Sequence, residues 1–419
     1  MGAARRTPSA PRDIAIVGAG PIGLEAALYA AALGHRPMVY ERLEAGANIR
    51  RWGFLELFSP WALNTSPLGL AALEKQGLET PPGDACPGGE EYCDRYLGPV
   101  AASLGDRIRT GREVLAISRA GLLKTEAIGS PKRANRRFQL LVADRRGEMK
   151  TAQSDVVIDA SGVYRNHGNL GDGGIPAPGE EALREKITYH IPDLLGADRP
   201  LYEGRTTLLV GAGYSAATVL ESFTKLMETE PRTRLVWARR DSRREPIELY
   251  ENDPLPQRDR LAREANRFAC DTPEGCEALS GFVTSSLERV DERVAVRLNG
   301  ASETRTVEVD RIISMTGYRP DTGFHRELQV HLCYATEGPM KLAAALLGGG
   351  SGGDCLERAE LAGDTLLNPE PGYYIAGHKS YGRRSDFLLQ TGIEQVRDIF
   401  RLIEADENLD LYEEETESP

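Results

Sequence analysis

The 419-residue chain carries a net charge of −12 and is 41% hydrophobic and 27% charged, which is the composition of a globular protein of two or three domains. No apolar run approaches the roughly 20 residues of a spanning helix, and none follows the basic N-terminus, so we expect no membrane partner, no signal peptide and a cytoplasmic location. An acidic chain without a basic stripe also argues against a nucleic-acid partner.

The first predicted unit, at residues 13–41, has the pattern of a dinucleotide-binding strand, turn, helix and second strand. An apolar strand runs directly into a GxGxxG turn. Its glycines permit the turn, a close backbone approach to a pyrophosphate, and tight packing of helix on strand. An acid at position 41 ends the second strand, where it can accept hydrogen bonds from ribose hydroxyls. The predicted dinucleotide contacts here are Gly18, Gly20, Pro21, Ile22, Gly23, Glu41 and Arg42.

A long, aromatic and proline-interrupted segment follows at residues 42–87. Loops of this length inside compact domains are usually functional. Trp52, Phe58 and Trp61 could stack on a flat ring or fill the loop interior, and we favour contact with a cofactor or substrate. Arg51 and Trp52 are therefore predicted cofactor contacts.

Helical spacing predicts a helix over residues 90–105, and a glycine-containing turn at 161–162 follows the last of three predicted strands. A glycine there lets the chain leave a buried strand close to a ligand. The predicted strands are 109–118, 138–142 and 156–158. The predicted cofactor contacts are Val114, Ser161 and Gly162.

A glycine- and proline-rich linker at residues 171–178 leads to a second strand, GxGxxA turn, helix and strand. Where the first unit has an acid, this one has Arg239 and Arg240. The loss of a carboxylate and the gain of guanidinium groups favour the 2′-phosphate of NADPH over NADH, although the arginines could also form a solvated charge run. The predicted elements are 206–210, 216–227 and 235–238. The predicted contacts are Gly211, Gly213, Tyr214, Ser215, Arg239 and Arg240.

Further on, a buried strand at 310–315 closes on a Thr-Gly-Tyr turn that echoes the turn after 156–158. Two glycine turns and two such returns indicate an internal duplication. A glycine-rich surface loop is predicted at 347–353. The other predicted elements are a helix at 258–268 and strands at 293–298 and 306–309. The predicted cofactor contacts are Thr316, Gly317 and Tyr318.

The last predicted folded segment is a strand at 373–376 followed by a helix that reaches Phe400 and is capped by Ser385 or Asp386. The N-terminus of such a helix can stabilise negative charge on a reduced cofactor ring. Residues 404–419 are acidic and are predicted to form a solvated tail. The predicted cofactor contacts are Gly377, His378, Leu389 and Gln390.

The six cysteines form no CxxC pair, so the sequence predicts neither a zinc ribbon nor a redox dithiol, and no metal site. We expect free thiols. The pairs Cys86/Cys93 and Cys270/Cys276 stay open as redox pairs.

The order of these features resembles the two-dinucleotide-binding-domain flavoproteins over about residues 12–403. The resemblance implies an α/β fold of two Rossmann-like three-layer dinucleotide-binding domains, with the NADPH domain inserted in the FAD domain. The implied segments are 1–170 for the first part of the FAD domain, 171–315 for the NADPH domain, 316–403 for the FAD-domain return and 404–419 for the tail.

Two branches of that superfamily are similar. The stretch MTGYRP at 315–320 resembles a motif of the class B flavin monooxygenases, and Asn64-Thr65-Ser66 resembles the segment in which the flavin-containing enzymes place an Asn beside the flavin. This resemblance implies an NADPH-oxidising monooxygenase that uses molecular oxygen, through a C4a-(hydro)peroxyflavin, on a small nucleophilic substrate. Asn64, Ser66 and Lys379 would be catalytic, with Trp61 and Arg383 near the ring.

The other branch is the thioredoxin-reductase-like group, which includes the bacillithiol disulfide reductases. It implies an NADPH-dependent disulfide or quinone reductase without oxygen insertion. Ile22 stands where bacillithiol reductases carry a cysteine. A third hypothesis is a non-catalytic flavoprotein that senses NADPH. We expect His167 to be a polar loop residue, and we leave a homodimer open.

Overall fold

The computed structural model describes residues 10–251, 253–348 and 363–413. The chain divides into two compact units. Unit 1 comprises the chain up to Asn166 together with the part from Arg319, and unit 2 is residues 167–318. The predicted glycine-rich loop lies mostly outside the described residues, as do Cys355 and residues 414–419.

Unit 1 is built on a five-stranded parallel sheet with Asp13–Val17 at its centre. Alternate residues of this strand face opposite layers. Ile14 and Ile16 join the core under the helices, whereas Ala15 and Val17 join the core under a three-stranded antiparallel sheet. The parallel strand order is Tyr373–Ile375, Val156–Asp159, Asp13–Val17, Arg36–Tyr40 and Ile108–Arg109. The antiparallel order is Arg112–Arg119, Phe138–Asp144 and Met149–Ser154.

Two long helices, Pro21–Ala32 and Leu389–Glu404, contribute the largest share of the helical layer of unit 1. The remaining helices are Ala47–Arg51, Trp61–Asn64, Pro67–Glu74, Gly89–Tyr92, Gly98–Leu104, Pro131–Ala134 and Met340–Gly348, with a π-helical turn at Cys93–Leu97. Short 3-10 turns lie at Gly105–Arg107, Gly323–His325, Gly363–Leu366 and Gly377–Tyr381.

Unit 2 repeats this three-layer plan, as the predicted duplication requires. One face of its parallel sheet packs through Leu208 and Ile312 onto an antiparallel sheet that supplies Val294 and Val296. The parallel order is Cys276–Ser280, Arg234–Arg239, Thr206–Val210, Arg311–Ser314 and Ile187–Thr188, and the antiparallel order is Val283–Val290, Arg293–Asn299 and Thr304–Val309. The helices are Tyr214–Thr229 and Pro256–Cys270, with 3-10 turns at Asp172–Gly174, Arg184–Lys186 and Arg199–Leu201.

The two ends of unit 2 lie side by side. His167 forms an antiparallel bridge with Tyr318, and the Gly168 N–H donates to the Gly317 carbonyl at 2.7 Å. In unit 1 the Arg319 N–H donates to the Asn166 carbonyl at 2.9 Å. The chain therefore leaves and re-enters unit 1 at neighbouring points.

Two local predictions were wrong. The last helix begins at Leu389 with Leu388 in the N-cap position, so neither Ser385 nor Asp386 caps it. Asp386 pairs instead with Arg384 at 2.6 Å. Residues 404–413 are also not a solvated tail. Leu409 is buried, and the Tyr412 hydroxyl donates to the buried Glu25 carboxyl at 2.8 Å.

Within the described ranges, we find no helix that combines the length and the apolar character needed to cross a bilayer.

Candidate functional site

In the first glycine turn, protein atoms leave no room for a side chain at two of the three glycines, whereas the third faces open space. Gly18 has φ +100°, and a Cβ there would lie 2.7 Å from the Ala160 carbonyl oxygen. A Cβ on Gly23 would lie 1.9 Å from the Gly18 oxygen. Gly20, by contrast, has no atom within 4 Å of its Cβ position and no positive φ. The space in front of Gly20 fits a group that approaches the backbone closely.

The second glycine turn repeats this arrangement. Gly211 has φ +131°, and its Cβ would lie 2.3 Å from the Met315 oxygen, whereas Gly213 again faces open space. The buried Trp237 indole donates to the Gly211 carbonyl at 2.7 Å and fixes the turn. Both following helices begin without a side-chain cap, and a helix N-terminus of this kind can bind an anion.

Two adjoining cavities lie beside the first turn, with volumes of about 330 and 150 Å³. They bring together predicted residues from distant parts of the sequence. Those that line at least one of them are Gly18, Gly20, Pro21, Ile22, Glu41, Arg42, Val114, Ser161, Gly162, Gly377, His378 and Leu389. The lining residues that we did not predict include Asn48, Asn166, Phe324 and Phe387.

Glu41 braces the first turn with both carboxylate oxygens. Oε2 accepts from the Ala19 N–H at 2.8 Å, and Oε1 accepts from the Leu43 N–H at 2.7 Å. Each carboxylate oxygen has a further lone pair, and the side chain lines both cavities. The geometry therefore leaves Glu41 able to accept from ligand hydroxyls.

Two of the predicted catalytic residues have other partners. The Asn64 amide donates to the Ser59 carbonyl and accepts from its hydroxyl, both at 2.7 Å. The Ser66 hydroxyl donates to Glu25 at 2.6 Å and caps the helix Pro67–Glu74. Both side chains are buried, and neither lines the two cavities. The geometry therefore gives their predicted catalytic roles no support.

The two tryptophans of the same loop are packed inside it. Trp61 is 1% exposed and lies 5.6 Å from the Tyr92 ring. Trp52 packs against the backbone of Gly89 and joins the core. The structure thus agrees with the alternative in which these rings fill the loop, and neither tryptophan lines the two cavities.

The side chains of the polar turn after Gly377 also have partners within the protein. Lys379 is 1% exposed and forms an ion pair with Asp159 at 2.7 Å. His378 stacks on Phe387, and burial lowers the pKa of its imidazole, which keeps the ring neutral near pH 7. Arg383 lies outside these cavities and pairs with Glu337 at 2.7 Å.

Four predicted contacts of unit 1 line neither of these two cavities, and one of them, Gly23, has the packing role described above. Gln390 donates to Glu394 at 3.1 Å, Arg51 is exposed, and Trp52 is packed as described above. Their cofactor roles stay predictions.

In unit 2 the two predicted phosphate-binding arginines differ. The Arg239 side chain is 4% exposed, lies over the Trp237 ring and donates to the carbonyls of Asp241 and Arg243. Arg240 is exposed. Arg239 therefore holds the loop, and Arg240 is free to meet a ligand.

The remaining predicted contacts of unit 2 lie at strand and helix ends. Tyr214 and Ser215 start the helix Tyr214–Thr229, and Thr316 follows the strand Arg311–Ser314. Gly317 has φ +88°. The Tyr318 hydroxyl donates to the Tyr189 carbonyl at 3.1 Å.

The described part of the chain contains neither a disulfide nor a cluster of side chains that could hold a metal ion. Cys86, Cys93, Cys270, Cys276 and Cys333 are free thiols, and none lines the two cavities. We find no group of three or more potential metal ligands there. The His167 ring stacks on the Tyr189 ring, with 3.6 Å between the ring centroids, and this contact is compatible with the predicted role of a polar loop residue.

Neither a protein-family model nor a curated protein sequence matches the chain. Solved structures do match. A bacillithiol disulfide reductase from Bacillus cereus is 17% identical, with a TM-score of 0.67 and coverage of 95% of this chain and 100% of that one. The ornithine N-hydroxylase of Kutzneria sp. 744, solved with reduced FAD, NADP⁺ and L-ornithine, is 14% identical, with a TM-score of 0.63 and coverage of 94% and 99%.

A thioredoxin reductase from T. acidophilum is 16% identical, with a TM-score of 0.58 and coverage of 94% and 99%. At these identities the likeness shows the fold alone, an α/β fold that this chain shares with these three enzymes. The predicted fold class is confirmed.

Proposed function

We propose that the chain is an FAD-dependent oxidoreductase that oxidises NADPH, with FAD in unit 1 and NADPH in unit 2. The observation that carries this proposal is the pair Gly20 and Gly213. Each is the second glycine of its turn, and each faces open space that a Cβ would enter. A ligand whose phosphates approach the backbone is the physical reason for glycine there. A hydroxylase of the same fold holds reduced FAD and NADP⁺, which supports the choice of cofactors.

When bound, FAD supplies the two-electron chemistry between the nicotinamide and the final acceptor. In this proposal the start of helix Pro21–Ala32 binds the pyrophosphate, and Glu41 accepts from the ribose hydroxyls. Leu389 begins the last helix and lines the smaller cavity, so that helix N-terminus can stabilise negative charge beside the cavity. In unit 2, Arg240 would bind the 2′-phosphate.

For the final acceptor we propose molecular oxygen, with transfer of one oxygen atom to a small nucleophilic substrate such as an amine, a sulfur compound or a carbonyl. The supporting observation is chemical. No cysteine among the described residues lines either of the two cavities beside the first glycine turn, so none of these five thiols is placed to relay electrons to a disulfide.

A reductase of a disulfide or a quinone is the second candidate. It is favoured by the burial of Asn64, Ser66 and Lys379, because the polar groups expected around an oxygen-activating ring are held elsewhere.

The two candidates differ in their need for oxygen. Purified chain should be assayed for NADPH oxidation with and without oxygen, with panels of amines, sulfides, ketones, quinones and disulfides. A monooxygenase incorporates heavy-isotope oxygen gas into product, and mass spectrometry detects it. Equal turnover of a quinone or disulfide without oxygen, and no heavy oxygen in any product, would identify the reductase. Replacement of all six cysteines by Ser should leave the monooxygenase active.

A further inference from the structure

A buried ion pair lies directly behind the cavity wall of unit 1. Asp159 ends the strand Val156–Asp159 and is fully buried, and its Oδ2 lies 2.7 Å from the Lys379 ammonium. Ser161 connects this pair to the cavities, which it lines. Its hydroxyl donates to Asp159 Oδ1 at 2.6 Å and accepts from Lys379 Nζ at 3.1 Å.

The hydroxyl proton of Ser161 is committed to Asp159. Burial raises the pKa of Asp159, but the Lys379 charge and the hydrogen bonds outweigh it and hold the pKa below its ordinary value. The group is therefore a carboxylate, which only accepts. Tyr373 donates to its other oxygen at 2.9 Å, so both carboxylate oxygens are satisfied inside the protein.

Lys379 takes one of the two lone pairs on the Ser161 oxygen. An ammonium has donors and no acceptor, and this one is fixed between Asp159, Ser161 and the Phe324 ring, whose centroid lies 4.1 Å away. A free serine hydroxyl at a cavity wall can rotate to donate or accept. Here the proton and one lone pair are in use, and one lone pair remains.

Stability alone does not account for this pair. The desolvation of two buried charges roughly cancels their attraction, so apolar side chains of similar volume would serve as well. We infer that the Asp159–Lys379 pair fixes the Ser161 hydroxyl as a hydrogen-bond acceptor at the cavity wall, which selects a hydroxyl or N–H donor of bound FAD. This inference rests on the proposed function. Ser161 contacts the cofactor, and Lys379 acts through Ser161 as a positioning residue.

The test measures FAD affinity of the full-length apoprotein by quenching of flavin fluorescence, which needs no turnover. Ser161→Ala should weaken binding by about three- to tenfold, the range of one net hydrogen bond. Ser161→Thr keeps the hydroxyl and should stay within about twofold of wild type. Lys379→Met should also weaken binding. The double variant should bind FAD about as tightly as the single variant with the lower affinity, because both changes remove the same contact.

Each result has a separate meaning. Ser161→Ala with wild-type affinity overturns the inference, as does a Ser161→Thr variant that binds as poorly as Ser161→Ala. Additive losses in the double variant show that Lys379 acts on the fold and overturn its positioning role. Should Lys379→Met fail to fold, the two Ser161 variants decide alone. A folded wild-type chain that binds no FAD refutes the proposed function itself, and the inference with it.

Discussion

Arg239 and Arg240 are neighbours in sequence with opposite environments. Burial lowers the pKa of the Arg239 guanidinium, which lies over Trp237 and donates to loop carbonyls. Arg240 is exposed at the same strand end. Loss of the first should therefore affect stability, and loss of the second should affect the ligand.

We expect Arg240→Ala to weaken NADPH binding about tenfold and to leave NADH binding unchanged, because only NADPH carries the 2′-phosphate. Arg239→Met should instead lower the thermal midpoint. Calorimetric titration with both nucleotides checks the first effect. Arg232→Ala is the matched control, since Arg232 is an exposed arginine of the same unit that pairs with Glu230. Equal losses for NADPH and NADH in Arg240→Ala would remove the 2′-phosphate assignment.

Glu25 is a buried carboxyl on the first long helix that accepts hydrogen bonds from Ser66 and Tyr412. Burial raises its pKa from 4.5 to about 7, against the lowering effect of those two hydrogen bonds. The folded state therefore binds more protons than the unfolded state between those two values. The free energy of unfolding should fall as the pH rises through that window, by about 3 kcal/mol at most.

Glu25→Gln should remove this dependence. Urea unfolding between pH 4.5 and pH 7 measures it in wild type and variant. A wild-type stability that rises through the window would contradict the raised pKa of Glu25.

At the scale of elements, each glycine turn has one glycine that the fold requires and another that we expect only ligand binding to require. Gly18→Ala forces a side chain onto φ +100° and against a carbonyl oxygen, so we expect a loss of stability above about 1 kcal/mol. Gly20→Ala meets no protein atom. It should unfold at the wild-type temperature and yet bind FAD at least about tenfold more weakly.

Thermal unfolding of the apoproteins and titration with FAD distinguish the two variants. Gly213→Ala offers the same comparison in unit 2 with NADPH. Wild-type FAD affinity of Gly20→Ala would show that the open space is not a phosphate site.

The central elements of both units could be predicted from sequence because their signals are strong. Apolar strands flank each glycine turn, and the predicted strand 206–210 has the bounds Thr206–Val210 in the structure. The missed strands have weak signals. Ile187–Thr188 has two residues, and Met149–Ser154 is largely exposed. Their pairing depends on neighbours distant in sequence, which local pattern does not encode.

The candidate site was predictable to the same extent. Glu41 and Ser161 were predicted from their positions directly after strands, and the structure places both of them on the cavity lining. Asn64, Ser66 and Lys379 were chosen from resemblance or from nearness in sequence. The structure instead gives them buried partners, which only the packing of the chain reveals.

At the scale of the whole molecule, the paired ends of unit 2 make it a candidate for independent folding. His167 and Tyr318 bridge to each other, and the unit has its own core. We expect the fragment 167–318 to unfold cooperatively and to bind NADPH. The shorter fragment 171–315, which lacks the bridge, should melt at a lower temperature. Circular dichroism during heating measures both, and a longer fragment without a cooperative transition would contradict the expectation.

Trp237 gives the molecule a built-in optical reporter. The chain has three tryptophans, of which Trp52 and Trp61 belong to unit 1 and Trp237 alone to unit 2. Its indole is hydrogen-bonded to the turn that we propose for the NADPH pyrophosphate. A fragment of unit 2 therefore has a single tryptophan emitter at its proposed ligand site, and energy transfer from this indole to a reduced nicotinamide would report occupancy without any label.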